Sequence, residues 1–346
     1  MSLKHLKECL VCGNTDLKVY CDLGEMPLVN NLKNSPNQED IKYPLVVMEC
    51  SCTHKQLSVA VDRALLFKDY LYQTGASQEH KDFFHLISLD IYHSFGIDSK
   101  KNILDIGCND GSLLVEFQFQ GWEIKGVEPS NKFKEELELN GIPYIKDFFP
   151  TNRIKEKFNL ITAFNVFAHN DDPKTFLIEA SKLLKENGRI YILTTPARID
   201  NYYHEHISYF TPQSMMILAN KCGAEVVSFK TVTMHGESFL FELAHHKERT
   251  IDTPCLNGNI VAYGASASET VLFNLYKIKP EYVVDDNPLK QGKFLPGVGS
   301  PVVSADHLAK DQRDLNIIVC HNLANEITEK IKKLRPKNKD KFITLI

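Results

Sequence analysis

Three groups of residues have the types and spacing to do chemistry. The first is Cys9-x-x-Cys12-Gly13 with Cys50-x-Cys52. Two thiolates set three residues apart before a glycine let one turn aim both sulfurs at a tetrahedral ion. Cys9, Cys12 and Cys52 are the expected ligands, with Cys50 as the fourth; His54 and Cys21 are the fallbacks, because the second pair is one residue short. Without metal the same residues would be reduced, partly buried thiols. A closed four-ligand zinc site is structural and leaves no open position for catalysis.

The second group is the glycine turn Gly107-Cys108-Asn109-Asp110-Gly111, which follows the strand pattern Ile103-Leu104-Asp105-Ile106 and precedes Glu128. A carboxylate about twenty residues beyond such a turn, at the end of the next strand, accepts from both hydroxyls of a ribose. Asp105 and Asp110 would repel a pyrophosphate, so a cationic, phosphate-free nucleoside, S-adenosylmethionine, fits better than another nucleotide. Asp147-Phe148 suits an adenine amine and ring, and Asn165 closes a fourth strand.

The third group is Asn201-Tyr202-Tyr203-His204-Glu205-His206-Ile207-Ser208-Tyr209. The H-E-H triplet lacks the i, i+4 histidines of a helical zinc site. It suits acid–base work: a histidine near neutral pKa, a carboxylate to orient it and phenols to donate. The plainer alternative is an aromatic loop packed on the sheet.

The elements that must position these groups follow from pattern and composition. The 346 residues are 43% hydrophobic with a net charge of −4. That excludes a disordered chain and an electrostatic nucleic-acid binder. No apolar run approaches the ~18 residues of a membrane span, and the first residues resemble no signal peptide, so a cytoplasmic protein is expected. Five of nine cysteines fall within the first 52 residues, which favours a metal site over disulfides. Helical spacing covers 79–95 before Gly96, and strands and helices then alternate from 103 onward as in a doubly wound sheet. Residues 258–346 read as a second, smaller α/β unit. Its turn at Gly264, with Ser266 and Ser268 beside it, offers backbone N–H groups suited to phosphate; Asn287 and Lys290 form a second polar turn. An ordinary docking domain is the alternative. The expected division is 1–65 zinc-binding, 66–250 cofactor-binding and 251–346 C-terminal.

CLVCG, VMECSCTHKQL, LDIGCNDG, NVFAHN, YHEHISYFT, HGES, VAYGASA and DDNPLKQGKFLPG occur in this order. Together they resemble the sugar C-methyltransferases of deoxysugar biosynthesis. The resemblance implies an α/β chain with an N-terminal zinc-binding segment, a class I methyltransferase Rossmann-like domain and a smaller Rossmann-like C-terminal domain. It implies methyl transfer from S-adenosylmethionine to carbon, C3 foremost, beside the ketone of a nucleotide-linked 4-keto-deoxyhexose. Cofactor contacts would be Asp105, Gly107, Asn109, Asp110, Glu128, Asp147, Phe148 and Asn165. The reacting centre would hold Tyr72, His169, Tyr203, Glu205 and His206. His206 would be the base; Tyr203, Tyr72 or His169 would donate to the enolate; Glu205 would orient the histidine or bind a sugar hydroxyl. The nucleotide would lie on Gly264, Ser266, Ser268, Asn287 and Lys290, and the zinc segment would lie apart from the proton chemistry. A nucleotide-linked keto sugar is the expected partner, with no nucleic acid or membrane, and the chain is expected to be a monomer. O- or N-methylation of a related nucleotide sugar, or non-catalytic binding, are the other readings. Thr194-Thr195-Pro196, Glu237, the lysine-free ASASET turn and the short stretch 239–262 depart from the family pattern, so an altered substrate or an altered grip on it is expected.

Overall fold

The computed structural model describes residues 3–67, 70, 72–95, 101–234, 236–246, 258–319 and 323–345. They divide into two units, Met1–Lys247 and Glu248–Ile346. The first begins with β1 (Leu3–His5), β2 (Leu17–Pro27), β3 (Lys42–Cys50), β4 (Lys55–Leu57) and β5 (Val59–Val61). β2, β3 and β4 form an antiparallel meander, with Leu17 opposite Cys50 and Val47 opposite Leu57; β1 pairs with β5. The short helix α1 (Arg63–Phe67) and a 3-10 turn, Thr74–Ala76, lead into α2 (Gln78–Ser94).

The doubly wound part then runs β6 (Asn102–Ile106), α3 (Ser112–Phe119), β7 (Glu123–Val127), α4 (Lys134–Leu139), β8 (Tyr144–Ile145), β9 (Phe158–Phe164), α5 (Pro173–Lys182) and β10 (Leu184–Thr194). The start of α5 has a local cause. Asp172 caps α5 by accepting from Thr175 N at 3.0 Å, with Pro173 next in line. Strands β6 and β9 are buried on both faces, as parallel strands covered by helices must be. Leu104, Ile106, Ile161 and Ile192 face one apolar cluster, and Ile103, Leu160 and Leu193 face another.

A two-residue strand, β11 (Ser208–Tyr209), leaves this sheet and pairs with β4, Ser208 opposite Gln56. After α6 (Pro212–Lys221), capped by the Thr211–Ser214 box, come β12 (Ala224–Val232) and β13 (Ser238–His245). The large sheet has the order β12-β13-β10-β9-β6-β7-β8. β6 to β10 are parallel, while β13 runs antiparallel to both β10 and β12. One reversed strand inserted beside a doubly wound sheet is the class I methyltransferase arrangement that the sequence implied.

The second unit contains β14 (Ile260–Tyr263), α7 (Ala267–Leu275), β15 (Val283–Val284), β16 (Val302–Val303), α8 (Ala305–Lys310), β17 (Asn316–Val319), α9 (Ala324–Leu334) and β18 (Lys341–Ile343). Its sheet is wholly parallel in the order β16-β15-β14-β17-β18, a small Rossmann-like unit with apolar clusters of its own.

Candidate functional site

The cysteine pairs sit on two turns, one after β1 and one between β3 and β4. Gly13 N donates to Cys9 O at 2.8 Å, and Thr53, left-handed at φ 69°, returns the chain after Cys52. That left-handed residue lets the short C-x-C spacing present both of its sulfurs. Cys9 Sγ lies 3.6 Å from Cys52 Sγ, Cys12 Sγ lies 3.4 Å from Cys50 Sγ, and all four lie within 4.8 Å of one another. Four Zn–S bonds of about 2.3 Å in a tetrahedron would set sulfurs about 3.8 Å apart, so the set fits zinc. Neither fallback belongs to it. His54 is fully buried against the Phe210 ring at 4.9 Å, and burial pushes its pKa down to about 3. Cys21 lies within β2, packed beside Leu45 and Val47.

The zinc segment is not apart from the reacting residues. β4 begins three residues after Cys52 and pairs with β11, which starts two residues after His206. Leu57 N donates to Ile207 O at 2.9 Å, and Thr53 and Thr211 share a hydroxyl contact of 2.6 Å.

At the carboxyl ends of β6 to β9 a cavity of about 270 Å³ opens. Gly107, Asn109, Glu128, Asp147, Phe148 and Asn165 line it. Gly107 is left-handed at φ 70°, and a Cβ there would meet Val166 Cγ2 at 2.3 Å. Glu128 accepts from Asn109 N at 2.9 Å and Ser130 N at 2.8 Å, yet burial still raises its pKa. Asn165 Oδ1 is buried without a hydrogen-bond partner. These acceptors suit the hydroxyl, ammonium and amine donors of S-adenosylmethionine.

Asp105 and Asp110 lie outside the cavity lining. Asp105 is buried and receives Thr162 Oγ1 at 2.6 Å. Asp110 accepts from Gly75 N at 2.7 Å and from Ser112 Oγ at 2.6 Å, so its carboxylate fastens the chain before α2.

The other half of the cavity holds Tyr72, His169, Tyr203 and His206. His206 Nδ1 donates to Asn201 O at 3.0 Å, which makes Nε2 the basic nitrogen; Tyr203 Oη donates to it at 2.8 Å. The His169 ring stacks on His206 at 5.3 Å, and burial, then His206, hold its pKa well below the usual imidazole range. Tyr72 Oη contacts His80 Nδ1 at 3.1 Å, and burial pushes the phenol up to about 12. Glu205 does not orient His206. Its Oε1 accepts from Asn30 Nδ2 at 2.8 Å, its Oε2 is buried without a partner, and the Asn201 carbonyl does the orienting instead.

Several lining residues had no place in the sequence reading: Arg63, whose guanidinium lies 4.5 Å over the Phe148 ring, and Phe67 and Tyr70. Asn201 stood in the third group, but without a role. Only the Tyr70-x-Tyr72 spacing offered a signal. Thr195, one of the departures noted in the sequence, also lines the cavity, whereas Glu237 is exposed. His235 of the HGES run lies outside the described residues.

In the second unit the turn residues close on each other. Lys290 Nζ donates to Ala265 O and Asp285 Oδ2, each at 2.9 Å. Asn287 Oδ1 accepts from Leu289 N at 3.0 Å, Ser266 Oγ from Glu269 N at 3.2 Å, and Ser268 Oγ lies 3.0 Å from Ser266 Oγ. Gly264, at φ 112°, donates its N–H to Val284 O. Asp285 takes the Ala265 N–H at 2.8 Å, which would otherwise face an anion.

Three family models match the chain: "Putative zinc binding domain" over residues 9–67, "Methyltransferase domain" over 77–229 and "C-methyltransferase C-terminal domain" over 248–346. The C-methyltransferase NovU of Streptomyces niveus is 25% identical over an alignment covering 99% of this chain and 96% of that protein. A ubiquinone biosynthesis O-methyltransferase of Pelagibacter ubique is 31% identical over 30% of this chain and 46% of that protein. A solved S-adenosylmethionine-dependent methyltransferase from Clostridium acetobutylicum is similar over 49% of this chain and 93% of that one, at 12% identity and a TM-score of 0.39. The thiolate cluster coincides with the first match, and zinc is the ion it takes.

Proposed function

Since the chain is an S-adenosylmethionine-dependent methyltransferase, we propose that it methylates carbon. The acceptor in this reading is a nucleotide-linked 4-keto-deoxyhexose, methylated at C3 beside the ketone. The observation that carries the reading is the Asn201–His206–Tyr203 arrangement, which fixes one imidazole tautomer with its lone pair held by a phenol inside the cavity. The full-length similarity to a C-methyltransferase and the C-terminal match support it.

A hydrogen on carbon beside a carbonyl is a weak acid, so its removal needs a placed base and a donor at the enolate oxygen. His206 Nε2 takes the proton. The Tyr203 hydroxyl, released from that lone pair, turns to the oxygen. Asn201 O keeps the imidazolium oriented through Nδ1. His169, neutral by burial, stacks behind it. The bound cofactor supplies an electrophilic methyl on a sulfonium and leaves as a neutral thioether. Asn30 and Glu205 hold the loop that bears the base.

The test incubates the enzyme and the keto-sugar nucleotide in deuterium oxide with S-adenosylhomocysteine. Deuterium should enter the carbon beside the ketone without methylation, and His206→Asn should lower both exchange and kcat by about 10²–10⁴-fold. Methylation on oxygen or nitrogen with no exchange would overturn the reading.

A further inference from the structure

The strap of residues 72–75, ahead of α2, is pinned over one half of the cavity. Thr74 N donates to Asn109 Oδ1 at 3.0 Å, Asn109 Nδ2 to Tyr72 O at 2.9 Å and Gly75 N to Asp110 Oδ2 at 2.7 Å. The approach is close enough that a Cβ on Gly75 would meet Ser112 Oγ at 2.5 Å. The polar side chains of the glycine turn therefore grip this strap. Beside it the cavity lining is aromatic: Phe67 at the end of α1, then Tyr70 and Tyr72. Phe67 lies 5.4 Å from Tyr70, Tyr70 lies 6.2 Å from Tyr72, and Phe67 stacks on His169 at 5.1 Å. Burial raises the Tyr70 phenol, and Tyr203, Glu205, Tyr72 and Glu128 raise it further, so it lies near groups from both halves of the cavity.

If Glu128 takes the ribose, Asp147 and Phe148 the adenine, and Gly107 and Asn165 the amino-acid tail, the sulfonium would fall between the ends of β6 and β9. It must also face His206 and Tyr203 if the methyl is to reach an acceptor. The rings of Phe67 and Tyr70 line the cavity there, Phe67 against His169. We propose that Phe67 and Tyr70 form an aromatic wall that recognises the sulfonium charge and so favours the methyl donor over its demethylated product. Ring faces attract a cation through their quadrupole, and desolvation strengthens the attraction. Transfer moves the methyl to the acceptor and leaves sulfur neutral, which removes that attraction and eases product release. The inference concerns the donor alone and stands whatever the acceptor is.

Calorimetric titration of the full chain with S-adenosylmethionine and with S-adenosylhomocysteine tests it, with no acceptor present. Phe67→Leu and Tyr70→Leu should each lower the preference for the charged ligand by about 3–30-fold, while Tyr70→Phe, which keeps the ring, should retain it. Site-specific fluorinated phenylalanines at position 67 keep the shape and withdraw ring electrons, so they read the same effect even if a leucine variant does not fold. Affinity for the sulfonium should fall stepwise with fluorine count, and affinity for the thioether should stay level. Equal losses for both ligands, or no loss for either, would overturn the wall.

Discussion

Burial pushes the Asp105 carboxyl up to about 7, and the hydrogen bond from Thr162 does not offset it. The unfolded chain ionises this group near 3.9. Between about pH 4 and pH 7 the folded chain therefore holds a proton that the unfolded chain has released. The contribution of Asp105 to stability accordingly falls as pH rises through that window, and its penalty is complete above it. Asp105→Asn keeps the shape and removes the charge. The melting-temperature difference between variant and wild type, measured without cofactor, should widen in favour of the variant from pH 4 to pH 7 and then level off. A difference that stays constant across this range would refute the account. At this scale the sequence pointed to residues at strand ends, and Glu128, Asp147, Phe148 and Asn165 all line the cavity. It could not show partners set by the folded path. Asn30 reaches Glu205 across 175 positions, and Asn201 orients His206 through a backbone carbonyl that carries no side-chain signature.

Among the elements, β4 and β11 connect the cysteine cluster to the loop that carries His206. The Cys50–Cys52 turn fixes the start of β4, whose Lys55 and Gln56 pair with Tyr209 and Ser208. Structural zinc contributes folding free energy directly. Chelation, or Cys52→Ser, should therefore lower the melting temperature and kcat together. Hydrogen exchange should quicken at the β4 and β11 amides while β6 and β9 stay protected. Uniform loss of protection would show the metal acting on the whole unit; unchanged protection at β11 would remove the link to the loop. The parallel strands were legible because strands buried on both faces read as apolar runs. β11 was not: two residues, Ser208 and Tyr209, make no pattern, and the pairing of Ser208 with Gln56, far upstream in the chain, is a tertiary fact. The strap escaped for the same reason, since its shape comes from Asn109 and Asp110 rather than from its own periodicity.

For the whole molecule, every described residue lining the cavity falls within the first unit. The second unit has its own buried cluster, including Val261, Val284, Ile317 and Ile331, and a unit with its own core can fold by itself. A chain of residues 1–247 should bind S-adenosylmethionine as tightly as the full chain. If the second unit holds the nucleotide, the truncated chain should need far more keto-sugar nucleotide to reach the same rate, and nucleoside diphosphate should inhibit only the full chain. The turn at Gly264 makes this a demanding test. Lys290 already neutralises Asp285, and Asp285 already occupies the Ala265 N–H, so a diphosphate must displace one carboxylate to use that turn. Asp285→Asn should then tighten nucleoside diphosphate inhibition by removing the competing charge. Inhibition that weakens, or a truncated chain inhibited as strongly as the full one, would place the nucleotide elsewhere.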